Sequence, residues 1–461
     1  MPPIVLINAV GLTPRWLQHA PRLQAIANEG WSAPMTEVLP AVTCSAQATL
    51  LTGQPVNRHG VVANGWLFRD TNEVRFWQQS NRLIQAEPLY ATAKHRAAKR
   101  GVTFNSAKLF WWFNQGAEVD FSVTPKPWYG VDGNKAFDVA GVPAEFPEAI
   151  KAKLGDFPFP SFWGPMAGLA CTKWIANCAA ETLKLHRPEL TLVYLPHLDY
   201  EPQRRGPSGC DMAKLVKELD AAAAPLLDEA KKIGARVWVV SEYGHCDVDM
   251  PVYLNRLLRT AGLLEVRRGP FGEQLDTFES RAFAVVDHQL AHIYVKFPAD
   301  LPRVKELLHG LPGVAEVLVG EERARHGLDH ERSGEIVALA QPKAWFAYPF
   351  WLDDALAPDY ARAVAIHNKP GFDPCELFFD PKFSAPKLHA ATRLLQKKLG
   401  FRTIFDLTPL DASIVKGSHG LIATDPQDAA ILIGHGPRPS AERVPMTAVK
   451  ELVLGALELS E

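Results

Sequence analysis

The sequence has no apolar run approaching the ~20 residues that a bilayer crossing requires, which excludes a helical membrane span. It lacks the basic, apolar and small-residue succession of a secretory leader, because Ile4-Val5-Leu6-Ile7 already reads as a first core strand. Cysteine is scarce. Cys44, Cys171, Cys178, Cys210, Cys246 and Cys375 form no C-x-x-C pair and no regular framework, the pattern of reduced thiols in a cytoplasmic protein. The net charge of -2 offers no attraction to nucleic-acid polymers or anionic membranes. Internal repeats and low-complexity tracts are absent. What remains is ordinary for a soluble globular protein: 47% hydrophobic and 22% charged residues over 461 positions. That length accommodates one large α/β domain with insertions, or two or three smaller units.

Short apolar runs of β type alternate with helical stretches, which predicts a mainly parallel central sheet covered by helices on both faces. The clearest strands are Ile4–Ile7, Leu190–Leu195 and Arg236–Val240, with a surface helix over Leu215–Ala230. Asn8, Asp199 and Glu242 each follow a strand, so they fall on one edge of that sheet, where open α/β proteins bind ligands. Five segments are expected: an α/β core over 1–64, an aromatic-rich inserted cap over 65–166, more core over 167–263, a small α+β subdomain over 264–341, and completion of the core over 342–461. The cap assignment rests on its prolines and on Trp66, Trp77, Trp111, Trp112, Trp128 and Trp163.

Chemistry concentrates in two places. In Leu39–Gly53 an extended, proline-containing stretch enters a small-residue helix near Thr43. A hydroxyl there meets unpaired backbone N–H groups and the positive end of the helix dipole, which favours an alkoxide and an incoming phosphoryl group. Read on spacing alone, Thr43 fits a simple N-cap better than a nucleophile. The second place is Tyr194–Pro207, where Asp199 follows a buried strand, Gln203 stands four residues later, and Gly206-Pro207 closes the run.

Together these segments resemble the signatures of type I phosphodiesterases and nucleotide pyrophosphatases in the alkaline phosphatase superfamily. The resemblance implies an alkaline phosphatase-like fold, Thr43 as nucleophile, and Asn64 as the amide that binds a phosphoryl oxygen. Thr52-Gly53 and His59-Gly60 match the same signature, whereas Ser45-Ala46-Gln47 departs from its Pro-Asn-His. The family holds two divalent ions, usually zinc. The corresponding positions here are Asn8, Thr43, Glu242 and Tyr243 for one ion and Asp199, Gln203 and His419 for the other. Asn8, Gln203, Glu242 and Tyr243 differ in type from the usual aspartates and histidines. A donor set dominated by oxygen implies manganese or magnesium rather than zinc, with one or two ions held. His245 and His197 are possible substitutes for Tyr243. His288, His292 and Lys369 are more remote candidates.

The activity so implied is metal-dependent hydrolysis of a small phosphorylated substrate (phosphodiester, pyrophosphate or monoester) through a covalent phosphoryl-threonine. The exchanged ligands motivate an alternative, a non-catalytic relative that binds a phosphorylated ligand or a partner protein. A formylglycine sulfatase is disfavoured by the absence of Cys-x-Pro-x-Arg. No feature specifies an oligomeric state.

Overall fold

A computed structural model describes residues 2–131, 135–401 and 403–460. Its centre is a nine-stranded sheet. From edge to edge the strands are Val444–Pro445, Trp31–Thr36, Ile431–Gly434, Arg236–Val240, Ile4–Ala9, Leu190–Leu195, Ser106–Leu109, Phe121–Pro125 and Val139–Val142. The strands from Arg236 to Pro125 in that order run parallel, while Ile431–Gly434 and Val139–Val142 are antiparallel to their neighbours. Ile4–Ala9 and Leu190–Leu195 are buried at every residue, as strands covered on both faces must be. The helix expected at Leu215–Ala230 extends over Met212–Lys232 and presents Leu215, Leu219, Leu226 and Ala230 to the Leu169–His186 helix and the sheet.

The predicted α/β class is therefore present. Within the segment 65–166, expected as a cap, the Gly65–Phe68 and Glu73–Phe76 hairpin and the pair Trp128–Tyr129 and Lys135–Ala136 stand outside the main sheet. Ser106–Leu109, Phe121–Pro125 and Val139–Val142 complete one side of it. These strands are short and carry buried polar residues, Ser106, Lys108, Ser122 and Thr124, so they present no apolar run to read. Trp66, Trp111 and Trp112 are buried, whereas Trp128 is exposed.

Much of the segment expected as a subdomain, 264–341, builds a smaller unit, which Leu254 and Phe346 outside those bounds also join. Its four-stranded antiparallel sheet is ordered Ala282–Asp287, Leu290–Val295, Ile336–Ala340, Val314–Val319, and the Leu301–His309 helix packs on it. Leu254, Phe283, Ile293, Val304 and Phe346 belong to an apolar core of its own, distinct from that of the central sheet. The six cysteines are free thiols. No described helix is long and apolar enough to cross a membrane.

Candidate active site

Strand register gathers the predicted residues. Asn8 lies opposite Tyr194 on one side and Val240 on the other, so Asn8, Asp199 and Glu242 meet beyond the carboxyl ends of three adjacent strands. The Thr43–Thr52 helix is buried along its whole length and starts at that edge, with Thr43 in its first turn. Gly53 ends it in a left-handed conformation, φ +65°, which a side chain disfavours.

Thr43 Oγ lies 3.0 Å from the Tyr243 hydroxyl, which donates to Asp199 Oδ1 at 3.2 Å. Because the phenol's single hydrogen serves Asp199, the Thr43 hydroxyl donates to Tyr243. The Tyr243 ring stacks on His419 at 3.5 Å. All four residues are buried, with Thr43 only 4% exposed.

Asp199, His245 and His419 offer ligand atoms within 4.8 Å of one another. His245 Nε2 lies 3.1 Å from Asp199 Oδ1 and donates to it. His419 is different. Its Nδ1–H donates to the Ala41 carbonyl at 2.8 Å, so its Nε2 is an unprotonated lone pair facing the Asp199 carboxylate 4.0 Å away. A cation between two acceptors that face each other at this distance would satisfy both, and a backbone carbonyl fixing the tautomer is how ligating histidines are usually oriented. Burial pushes the His419 imidazole well below its usual pKa, which keeps it neutral. Burial pushes the Asp199 carboxyl up, but hydrogen bonding from His245 and Gln203 in the field of the two imidazoles outweighs it and leaves the group below its ordinary value. Gln203 is buried beside Asp199, whose carboxyl its amide helps to hold low, although neither amide atom reaches full hydrogen-bond geometry. Gly11, at φ +76°, makes room for the imidazole: a Cβ there would stand 3.0 Å from His245 Cε1.

The remaining predicted ligands form a second network that meets the first at Thr43. Glu242 Oε1 accepts from Asn8 Nδ2 at 2.6 Å and from Gln47 Nε2 at 2.7 Å, and Gln47 Oε1 accepts from the Trp112 N–H at 2.8 Å. Complete burial pushes the Glu242 carboxyl up to about 8 despite those two donors. Asn8 Oδ1 and Glu242 Oε2 have no partner. One carboxylate and two imidazoles thus lie within reach of a single cation, beside the oxygen donors expected from the sequence. His245 enters where Tyr243 was anticipated.

Asn64 stands beside the first turn of the Thr43–Thr52 helix: its Oδ1 accepts from the Cys44 N–H at 2.9 Å. The other candidates lie elsewhere. His197 pairs with Glu218 at 3.2 Å, and His292 binds the Val62 carbonyl at 3.1 Å. Lys369 is locked between Asp373 (2.7 Å) and Glu376 (2.8 Å), which leaves no cation for a phosphate. Gln47, which the sequence presented only as a departure from a motif, is a site residue; standing four positions after Thr43, it shares a helix face with it.

The sequence profile of the type I phosphodiesterase / nucleotide pyrophosphatase family matches residues 4–373. No curated protein sequence matches the chain. Among solved structures, phosphonoacetate hydrolase from Sinorhizobium meliloti in complex with phosphonoformate superposes with a TM-score of 0.61 at 15% identity, covering 100% of this chain and 96% of that one. Murine ectonucleotide pyrophosphatase / phosphodiesterase 5 gives 0.58 at 16% identity, covering 99% and 95%. Its human counterpart gives 0.59 at 15% identity over the same shares.

Proposed function

The chain belongs to the type I phosphodiesterase / nucleotide pyrophosphatase family, and on that premise we propose that it is a metal-dependent phosphoric-ester hydrolase with Thr43 as nucleophile. The observation that carries this reading is the line Thr43–Tyr243–Asp199 running into the Asp199–His245–His419 cluster. Those three residues, with Gln203 beside them, would hold one divalent ion. Bound there, it supplies positive charge that lowers the cost of the developing phosphoryl oxyanion. Two imidazoles weaken the case for magnesium and admit zinc alongside manganese.

The protein's own groups account for the rest. Thr43 Oγ attacks phosphorus opposite the leaving oxygen, forming one P–O bond as the other breaks. The Thr43 proton passes to the Tyr243 oxygen as the phenolic hydrogen moves to Asp199, along existing hydrogen bonds. Asn64 Nδ2 and the helix N-terminus face the equatorial oxygens. Water then attacks phosphorus and the P–O bond to threonine breaks; one water proton goes to the departed leaving oxygen, and the threonine oxygen recovers its own from Asp199 by way of Tyr243. A small phosphorylated molecule is the substrate class.

The near-complete enclosure of Thr43 favours one other reading, a relative that binds a phosphorylated ligand without turnover. Wild type and Thr43→Ala, assayed on bis-p-nitrophenyl phosphate, p-nitrophenyl phosphate and a nucleotide with manganese, zinc, magnesium or calcium, separate the two. Metal-dependent turnover that falls at least ~1,000-fold in the variant is expected. Ligand binding with no turnover by wild type under any metal would establish the second reading.

A further inference from the structure

We propose that Asp287, carried to the site by the tip of a hairpin in the smaller unit, is a positioning residue that holds the Asn64 amide against the phosphoryl group. The inference rests on the reading of Asn64 as a phosphoryl donor.

Asp287 is fully buried and grips Asn64 twice. Its Oδ2 accepts the Asn64 backbone N–H at 2.7 Å, and its Oδ1 accepts from Asn64 Nδ2 at 3.1 Å. The opposite end of the same amide is fixed by the Cys44 N–H. These contacts settle which end of Asn64 is nitrogen, hold the plane of its amide, and leave a single Nδ2 hydrogen beside the nucleophile's helix turn. Among the described residues no lysine, arginine or histidine is paired with Asp287, so this buried carboxylate is compensated by the two Asn64 donors alone. Only an acceptor with two oxygens and no competing N–H satisfies both donors. Asparagine would set an NH2 group against one of them, and an apolar residue would leave both unpaired.

The hairpin is built to hold this position. Asp287 pairs with Leu290, so His288 and Gln289 form a two-residue turn. His288 adopts φ +56°, a left-handed conformation that disfavours a side chain by about 1 kcal/mol. The ring is held by stacking between Phe372, at 3.9 Å, and His419, at 3.6 Å. Gln289 ties the turn down through its N–H to the His419 carbonyl at 3.1 Å and its Nε2 to the Ala344 carbonyl at 3.0 Å. Every residue from 287 to 289 therefore touches an element of the active site.

The test compares Asp287→Asn, Asp287→Ala, Asn64→Ala and the double variant Asn64→Ala/Asp287→Asn on bis-p-nitrophenyl phosphate. Each Asp287 variant is expected to lower kcat by about 10- to 100-fold with KM changed less than about threefold, the behaviour of a donor that matters in the transition state. In the Asn64→Ala background Asp287→Asn should add less than about threefold. Losses that multiply, or a kcat within twofold of wild type, would overturn the proposal. A second measurement does not depend on turnover. With ¹⁵N-asparagine labelling, the Asn64 side-chain amide (assigned by its absence in Asn64→Ala) should be protected from exchange and shift with orthovanadate in wild type. Both properties should vanish in Asp287→Ala. An unchanged Asn64 signal in that variant refutes the positioning role, whereas wild type that shows this signature but hydrolyses nothing refutes only the hydrolase reading.

Discussion

Replacing Glu242 by glutamine should make the metal-free protein more stable in alkali while changing little in mild acid. Burial raises the Glu242 carboxyl from 4.5 to about 8, although Asn8 and Gln47 both donate to it. Between those values the folded protein keeps a proton that the unfolded chain releases, so stability falls as pH rises through the window and levels off above it. At ~1.36 kcal/mol per tenfold change in proton affinity, that difference is at most roughly 5 kcal/mol when fully developed. Glutamine preserves Oε1 as the acceptor for Asn8 and Gln47 and can never ionise, so Glu242→Gln lacks this loss. Thermal melts of chelator-treated wild type and variant would be recorded from pH 5 to pH 9. The curves should coincide near pH 5 and separate progressively, reaching about 3–5 °C at pH 9 for a chain of 461 residues. Asp287, raised by burial to about 7, contributes a slope of the same sign to both proteins and cancels in the comparison. Parallel curves across the whole range would show that Glu242 is already ionised in the folded state and that the neutral network around it is wrong.

Elemental analysis of protein loaded with manganese or zinc should find one tightly held ion per chain, lost from His245→Ala and from His419→Ala. Two ions, or full occupancy in those variants, would move the centre toward Asn8 and Glu242. Lys369→Met should reduce stability by about 3–5 kcal/mol in denaturant titrations, because Asp373 and Glu376 would lose their buried counter-charge. A loss below about 1 kcal/mol would contradict the structural role given to that triad.

The parts of the fold legible in the sequence were those whose burial is written in side-chain type. Ile4–Ala9 and Leu190–Leu195 are buried on both faces and read as apolar runs. Ser106–Leu109 sits in the same sheet, yet its Lys108 sends Nζ to the Phe113 carbonyl at 2.8 Å, and a lysine in so short a strand hides its membership. At the site, Asp199 and His419 were visible through a motif, but the choice between His197 and His245 was not. Two-residue periodicity places His197 on the Asp199 face, and that rule fails because the chain leaves the strand after Leu195 and coils through His197–Asp199. Asp287 was invisible for another reason. It lies 223 positions from Asn64, and nothing local distinguishes it from an ordinary hairpin residue.

The two hydrophobic interiors described above sit on either side of one reaction centre. The larger supplies the threonine and the cation donors, while the smaller supplies the clamp on Asn64. The helix that carries Thr43 is shared between them, because its Cys44 and Ala48 pack with Leu290, Val337 and Leu339 of the smaller sheet. Loosening the lesser lobe would therefore slacken the threonine and the amide that faces it together.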